Sequence, residues 1–238
     1  MNQLLELAIA AHGGQGRWKH LRSLRANLSV TGALWASRGV AGWLKEIEIE
    51  AQLHEQKVIT SLPSKKKRFI FQPDLVVIES ESGQERSAHV NPRKAFEGLS
   101  ATTPFEDVHV AYFNSYAIWN YLTAPFQFAA VGYHGEELDE WKEGGALWHP
   151  LKVTFPEGIA THTREQVAYF GPDGLLRRLE YAVDVLGGAK GLNYATEYRE
   201  ISGIMLPMKR RVYPADAQHR KVEEPVLVAI DFHEMTVQ

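Results

Sequence analysis

Hydrophobic and polar residues alternate with a period of two over most of the chain, the pattern of strands that lay one face on a core. Leu24, Ala26, Leu28 and Val30 alternate with Arg25, Asn27, Ser29 and Thr31. In WLKEIEIEAQLH, residues 43–54, Trp43, Ile47, Ile49, Ala51 and Leu53 share one face, and Glu46, Glu48, Glu50 and Gln52 share the other. Shorter runs follow at 57–62, 67–72, 75–80 and 85–90, a few turn residues apart. Such spacing predicts antiparallel neighbours, because a parallel crossover needs about a dozen residues or more. Strands are expected again at 126–133, 147–154, 162–170, 175–184, 193–201, 205–213 and 226–237. Within these, Gly171-Pro172-Asp173-Gly174 reads as a tight turn, with proline presetting φ and glycine free to adopt a left-handed conformation. After it, Leu175, Leu179, Tyr181 and Val183 point one way, while Arg178, Glu180 and Asp184 point the other. The last run, VLVAIDFHEMTV, carries apolar residues on both faces and predicts a strand covered on both sides.

Two segments break the alternation. Leu4, Leu5, Ala8 and Ala11 recur at helical spacing, and His12-Gly13-Gly14 supplies a helix stop, so residues 2–11 read as a short helix. Thr103-Pro104-Phe105-Glu106 has the form of a capping box with proline at the first helical position. The helix it opens should run to about Leu122, before Ala124-Pro125. Its apolar residues go most of the way round the axis, which predicts a helix covered on most sides. No linker, repeat or low-complexity tract divides the chain, and one domain over residues 1–238 is the simpler reading.

The order of elements and several short motifs resemble the LolA/LolB-like superfamily. The matching features are His12-Gly13-Gly14…Trp18, Trp119…Pro125-Phe126, Gly174-Leu175-Leu176…Arg178…Tyr181 and Gly203…Leu206-Pro207. The resemblance implies an α+β fold: a strongly curved antiparallel sheet forming a half-open barrel, with the central helix and the short N-terminal helix packed on it. It also implies an apolar cavity suited to acyl chains.

Composition narrows the chemistry. The chain has 238 residues and no cysteine, which removes disulfides, thiolate metal sites and thiol catalysis. With 26 basic and 29 acidic residues and a net charge of −3, nothing in the totals points to nucleic acid. Lys65-Lys66-Lys67-Arg68 is the one basic run, and lysines beside a strand more often guard an edge than touch phosphate. No run approaches the roughly 20 apolar residues of a transmembrane helix. MNQLLELAIAAHGG lacks the basic start of a signal peptide and is interrupted by Glu6, so a cytoplasmic protein is expected. No metal, cofactor or nucleophile-elbow motif is present, and no cofactor is expected.

The candidate site is therefore a hydrophobic or lipid-like ligand between the curved sheet and the central helix. The segment AYFNSYAIWNYLTAPFQF is dense in aromatics. Tyr116, Trp119, Phe126 and Phe128, with Trp148, are the expected apolar wall, and His162, Gln166 and Arg178 the expected polar anchors. Arg164, Gln166, Arg178, Glu180 and Asp184 are expected to form a hydrogen-bonded network, because inward polar groups must be paired. Two alternatives stay open. One is an enzyme with His162 or His233 as general base, oriented by Asp231 or Asp184. The other is a structural or interaction module whose aromatics simply fill the barrel.

Overall fold

The computed structural model describes residues 2–238. Four helices and fourteen strands follow one another. The first helices are α1 (Gln3–Ala11), α2 (Gln15–Trp18), α3 (Ala33–Ser37) and α4 (Asp107–Thr123). The strands are β1 (Ser23–Thr31), β2 (Ile47–Gln52), β3 (Val58–Leu62), β4 (Lys67–Gln72), β5 (Leu75–Ser80), β6 (Arg86–Val90) and β7 (His134–Glu137). They continue with β8 (Trp141–Glu143), β9 (Ala146–Thr154), β10 (Glu165–Phe170), β11 (Leu176–Val183), β12 (Ala189–Ile201), β13 (Ile204–Pro214) and β14 (Val228–Val237). The strands form one antiparallel sheet in the order β6-β5-β4-β3-β2-β1-β14-β13-β12-β11-β10-β9-β7, with β8 attached to β9. β6 and β7 are free margins, so the curved sheet is a half-barrel that does not close.

The first and last strands meet in the middle of the sheet, where β1 pairs β14. A bulge lies opposite Asn27 and Leu28 and leaves His233 unpaired. This corrects the expectation for the last strand. Phe232, Met235 and Val237 all oppose the buried row Leu28, Ala26 and Leu24, so the bulge returns Met235 to the inner face, and His233 is exposed. β14 is therefore buried mainly on one face.

The concave side is filled by α4, which is buried at every position from Val108 to Thr123. Trp119 Nε1 donates to the Gln52 carbonyl at 2.7 Å and ties the helix to β2. The helix begins three residues beyond Pro104, not at it. Phe105 N–H is held by the Arg38 carbonyl at 2.8 Å, and Thr103 Oγ1 accepts from Ser100 N–H at 2.9 Å, so this stretch is engaged elsewhere. Glu106 is the cap instead, its N–H donating to His109 Nδ1 at 2.9 Å.

The strand expected at 126–133 is absent: Phe126–Ala129 is a turn of 3-10 helix. Phe126 stacks on Trp18 at 4.2 Å and Phe128 meets Phe155, but Gln127 between them is also buried, donating to the Asn120 carbonyl at 2.9 Å. Residues 43–46 are turn as well, with β2 starting at Ile47. The short elements α2, α3, β7 and β8 were beyond the reach of periodicity.

α1 closes one end of the half-barrel. Asn2 caps it by accepting from Leu5 N–H at 2.9 Å, and Leu5, Ala8 and Ile9 are buried. One glycine after it and one in the β10–β11 turn are required by contact. Gly13 has φ +111° and sits so close to the Gly203 carbonyl that a Cβ would collide with it. Gly174, φ +78°, would bring a Cβ to 2.8 Å from that of Ala11. The hairpin at 166–184 thus rests its turn on the end of α1.

Candidate functional site

Between α4 and strands β11–β14 a cavity of about 240 Å³ remains. Its floor and walls are Val30, Phe113, Ala117, Ile118, Tyr121, Tyr181, Val212 and Ile230, with His162 beside them. Trp35 and Arg38, on and just after α3, form another side, and Ala101, Ala189 and Lys190, all exposed, form the rim. Trp35 packs edge-on against Phe113 at 5.9 Å.

A buried polar chain runs beneath this cavity. His162 Nδ1 is hydrogen-bonded to the Tyr116 hydroxyl at 2.9 Å, and its Nε2 to the Tyr121 hydroxyl at 2.9 Å. Tyr121 in turn meets the Tyr181 hydroxyl at 2.6 Å. Burial pushes His162 down to about 3, so its ring is neutral, with one nitrogen donating and one accepting. Burial likewise raises the three phenols. The chain therefore has a direction set by the tautomer and ends on Tyr181, at the cavity wall. Next to it lies Arg210, fully buried, donating to the Tyr121 carbonyl at 2.8 Å with its guanidinium 5.0 Å above the Tyr121 ring.

The expected site residues separate into three places. His162 lines the cavity, and Tyr116 bonds it from below. Trp119, Phe126, Phe128 and Gln166 are buried in the packed core away from it, Gln166 donating to Thr161 Oγ1 at 2.5 Å. Trp148 and Arg178 lie on the convex face, across the sheet from α4, which corrects their placement as wall and anchor. There Arg178 is held by Glu143 at 2.6 Å, Glu180 at 3.1 Å and the Tyr169 ring at 3.8 Å. β8 and the segment around His219 and Arg220 cover it, with Arg220 stacked 4.4 Å from the Trp141 ring. Alternation did place Arg178 opposite Leu179; the sequence did not show that the outer face is covered.

The expected five-residue network is split in the same way. Arg178 pairs with Glu180 outside, Arg164 with Glu157 at 3.3 Å, and Asp184 with Arg93 at 3.2 Å. Neither general-base pair forms. Asp184 turns to Arg93, Asp231 pairs with Arg211 at 2.7 Å, and both ring nitrogens of His162 are taken by phenols. No group of three His, Asp or Glu side chains among the described residues is placed to hold a metal ion. The basic run is engaged within the molecule: Lys65 sits 4.0 Å over the Trp43 ring, Lys67 pairs with Asp107, and Arg68 with Glu79 at 2.7 Å.

A wider groove of about 900 Å³ opens between the two margins of the sheet. Its charges are of both signs, Arg93, Lys94 and Arg164 against Asp74, Glu97, Glu157 and Asp184, and Arg93 clasps across it to the Thr161 carbonyl at 3.1 Å. The smaller cavity is the more apolar of the two.

Residues that the sequence reading missed are Trp35, Arg38 and Arg210. For Arg210 a signal existed: Leu206, Met208, Arg210 and Val212 alternate in register, and all four are buried.

An antiparallel half-barrel with its concave side occupied by a helix is the LolA/LolB-like fold. Three solved structures share it. A LolA superfamily protein of Nitrosomonas europaea is 9% identical, covering 99% of this chain and 92% of its own, with a TM-score of 0.54. A DUF1329 family protein of Desulfovibrio piger is 12% identical, covering 98% and 91%, TM-score 0.55. A domain from Vibrio parahaemolyticus described as an outer membrane lipoprotein-sorting protein is 11% identical, covering 98% and 92%, TM-score 0.55. No protein-family model and no curated protein matches the chain. No helix among the described residues is long and apolar enough to cross a membrane.

Proposed function

We propose that this chain, acting as one domain, binds a small hydrophobic or amphipathic, lipid-like ligand in the cavity between α4 and β11–β14. The observation that carries this reading is the cavity itself: about 240 Å³ left unfilled in an otherwise close-packed concave side, with an apolar lining. Its size suits a short acyl chain, since drug-sized pockets run from roughly 300 Å³ upward. The fold shared with a domain described as lipoprotein-sorting supports a lipid-like cargo. His162 remains in the proposed wall, held from below by Tyr116 and joined by Tyr181, Phe113 and Ile118.

Native mass spectrometry of the protein purified from its host, with titration by the apolar fluorophore N-phenyl-1-naphthylamine, tests this. The expected result is a retained small molecule or saturable one-to-one binding of the fluorophore, lost in Ala117→Phe, which fills the cavity. A wild-type protein that carries nothing and does not bind the fluorophore overturns it and favours a filled interaction module.

A further inference from the structure

The interior of the half-barrel is electrostatically one-sided. Among the described residues no aspartate or glutamate is buried, whereas Arg38 and Arg210 are both buried on the concave side. Around Arg210 are phenols, the Asn193 amide and the Tyr121 carbonyl, and its Nε has no partner. Arg38 is 6% exposed and lines the cavity. Only its Nη1 is hydrogen-bonded among the described residues, to the carbonyls of Ser100 at 2.5 Å and Thr103 at 3.2 Å. Its Nε is buried without an acceptor, and its guanidinium lies 5.0 Å over the Phe105 ring. No acid acts on it. The remaining charge on the cavity is Lys190 at the rim. A cation removed from water and left without an anion is costly, and one bound anion would relieve that cost.

We propose that the cavity takes an anionic amphiphile, a short-chain monocarboxylate whose head group meets Arg38 while its hydrocarbon tail lies over Val30, Ile118 and Ile230. This rests on the cavity being a ligand site and adds the chemistry of the ligand's polar end. The second Nη of Arg38 has no hydrogen-bond partner among the described residues and, unlike Nε, is not closed off by its neighbours, so it is the donor left to meet a carboxylate oxygen. Lys190 supplies a second positive charge where the head group would enter. A cationic or neutral amphiphile of the same length has the same tail contacts but leaves Arg38 uncompensated.

Isothermal titration calorimetry with octanoate, 1-octanol and octylamine at pH 7.5 separates the two layers. Octanoate should bind at least about tenfold more tightly than either analogue, the discrimination of a charge-assisted hydrogen bond. Arg38→Met, which keeps the length of the stem, should bring octanoate to the affinity of octanol and leave octanol within about twofold of wild type. Equal binding of octanoate and octanol by the wild type overturns the anion preference while the cavity reading stands. Retained preference in a folded Arg38→Met overturns the assignment to Arg38. Absence of binding by all three overturns the cavity reading itself. Should Arg38→Met fail to fold, the wild-type comparison decides alone.

Discussion

Arg178 and Arg210 are the two largest side chains that the fold buries completely, at 0% and 1% exposure, and they are buried on opposite faces of one sheet. On the convex face, Arg178 is surrounded by what a buried cation requires. Two carboxylates, Glu143 and Glu180, and two rings, Tyr169 and Trp141, enclose it, and the His219 carbonyl accepts from it at 3.2 Å. Glu143 belongs to β8, so this ion pair holds a cover onto the sheet. On the concave face, Arg210 is enclosed by α4 and has a backbone carbonyl, a weak contact to Asn193 at 3.4 Å and no carboxylate. The same residue type serves as a staple where counter-charges come with the cover, and as a source of positive potential where the cover is an apolar helix.

Substitutions at the two sites should therefore behave differently. Arg178→Met leaves Glu143 and Glu180 without their cation, and chemical denaturation should show a loss of about 3–5 kcal/mol. If that variant is as stable as wild type, the convex pair is ornament and the contrast fails. A comparable effect comes from acid. Burial holds His12 down to about 4 and His162 to about 3 in the folded protein, both below the usual 6.5. Between about pH 6.5 and these values the unfolded chain binds protons that the folded chain does not, so stability falls as pH drops through that window. The slope is at most ~1.4 kcal/mol per pH unit per histidine. Urea midpoints from pH 7 to pH 4.5 should fall accordingly, and His162→Asn should flatten the decline. Tyr121→Phe removes the hydroxyl that joins His162 to Tyr181 and should cost about 1–3 kcal/mol, measured the same way. The smallest change is expected at the concave arginine. Arg210→Met discards an unpaired charge for an apolar side chain of similar reach and should be neutral or stabilising. A loss above about 2 kcal/mol would mean that Arg210 is paired after all and would sharpen the search for its partner.

Much of the sheet was legible because alternation survives in any strand with one buried face. Ile47, Ile49 and Ala51, and Leu179, Tyr181 and Val183, are buried as their spacing predicts. α4 was legible from its nearly continuous apolar surface, which is what a helix inside a curved sheet needs. The site was much less so. Of the eight side chains expected at the ligand, one lines the cavity, because an aromatic looks the same in sequence whether it walls a void or fills a core. Phe126 and Phe128 were read as alternating strand residues, yet they lie on a single 3-10 turn against Trp18 and Phe155.

By itself the sequence determined the two-residue rhythm, the single long buried helix, the absence of thiol chemistry and the resemblance to a half-open barrel. Those properties reside in near-neighbour spacing and in residue type. The tertiary structure alone decided that α4 leaves about 240 Å³ unfilled, that the convex face is also covered, and that Arg38 and Arg210 face inward without an acid. A cavity and an unpaired charge are properties of what stands opposite a residue. For Arg38 the opposing atoms, the carbonyls of Ser100 and Thr103, lie more than sixty positions away along the chain.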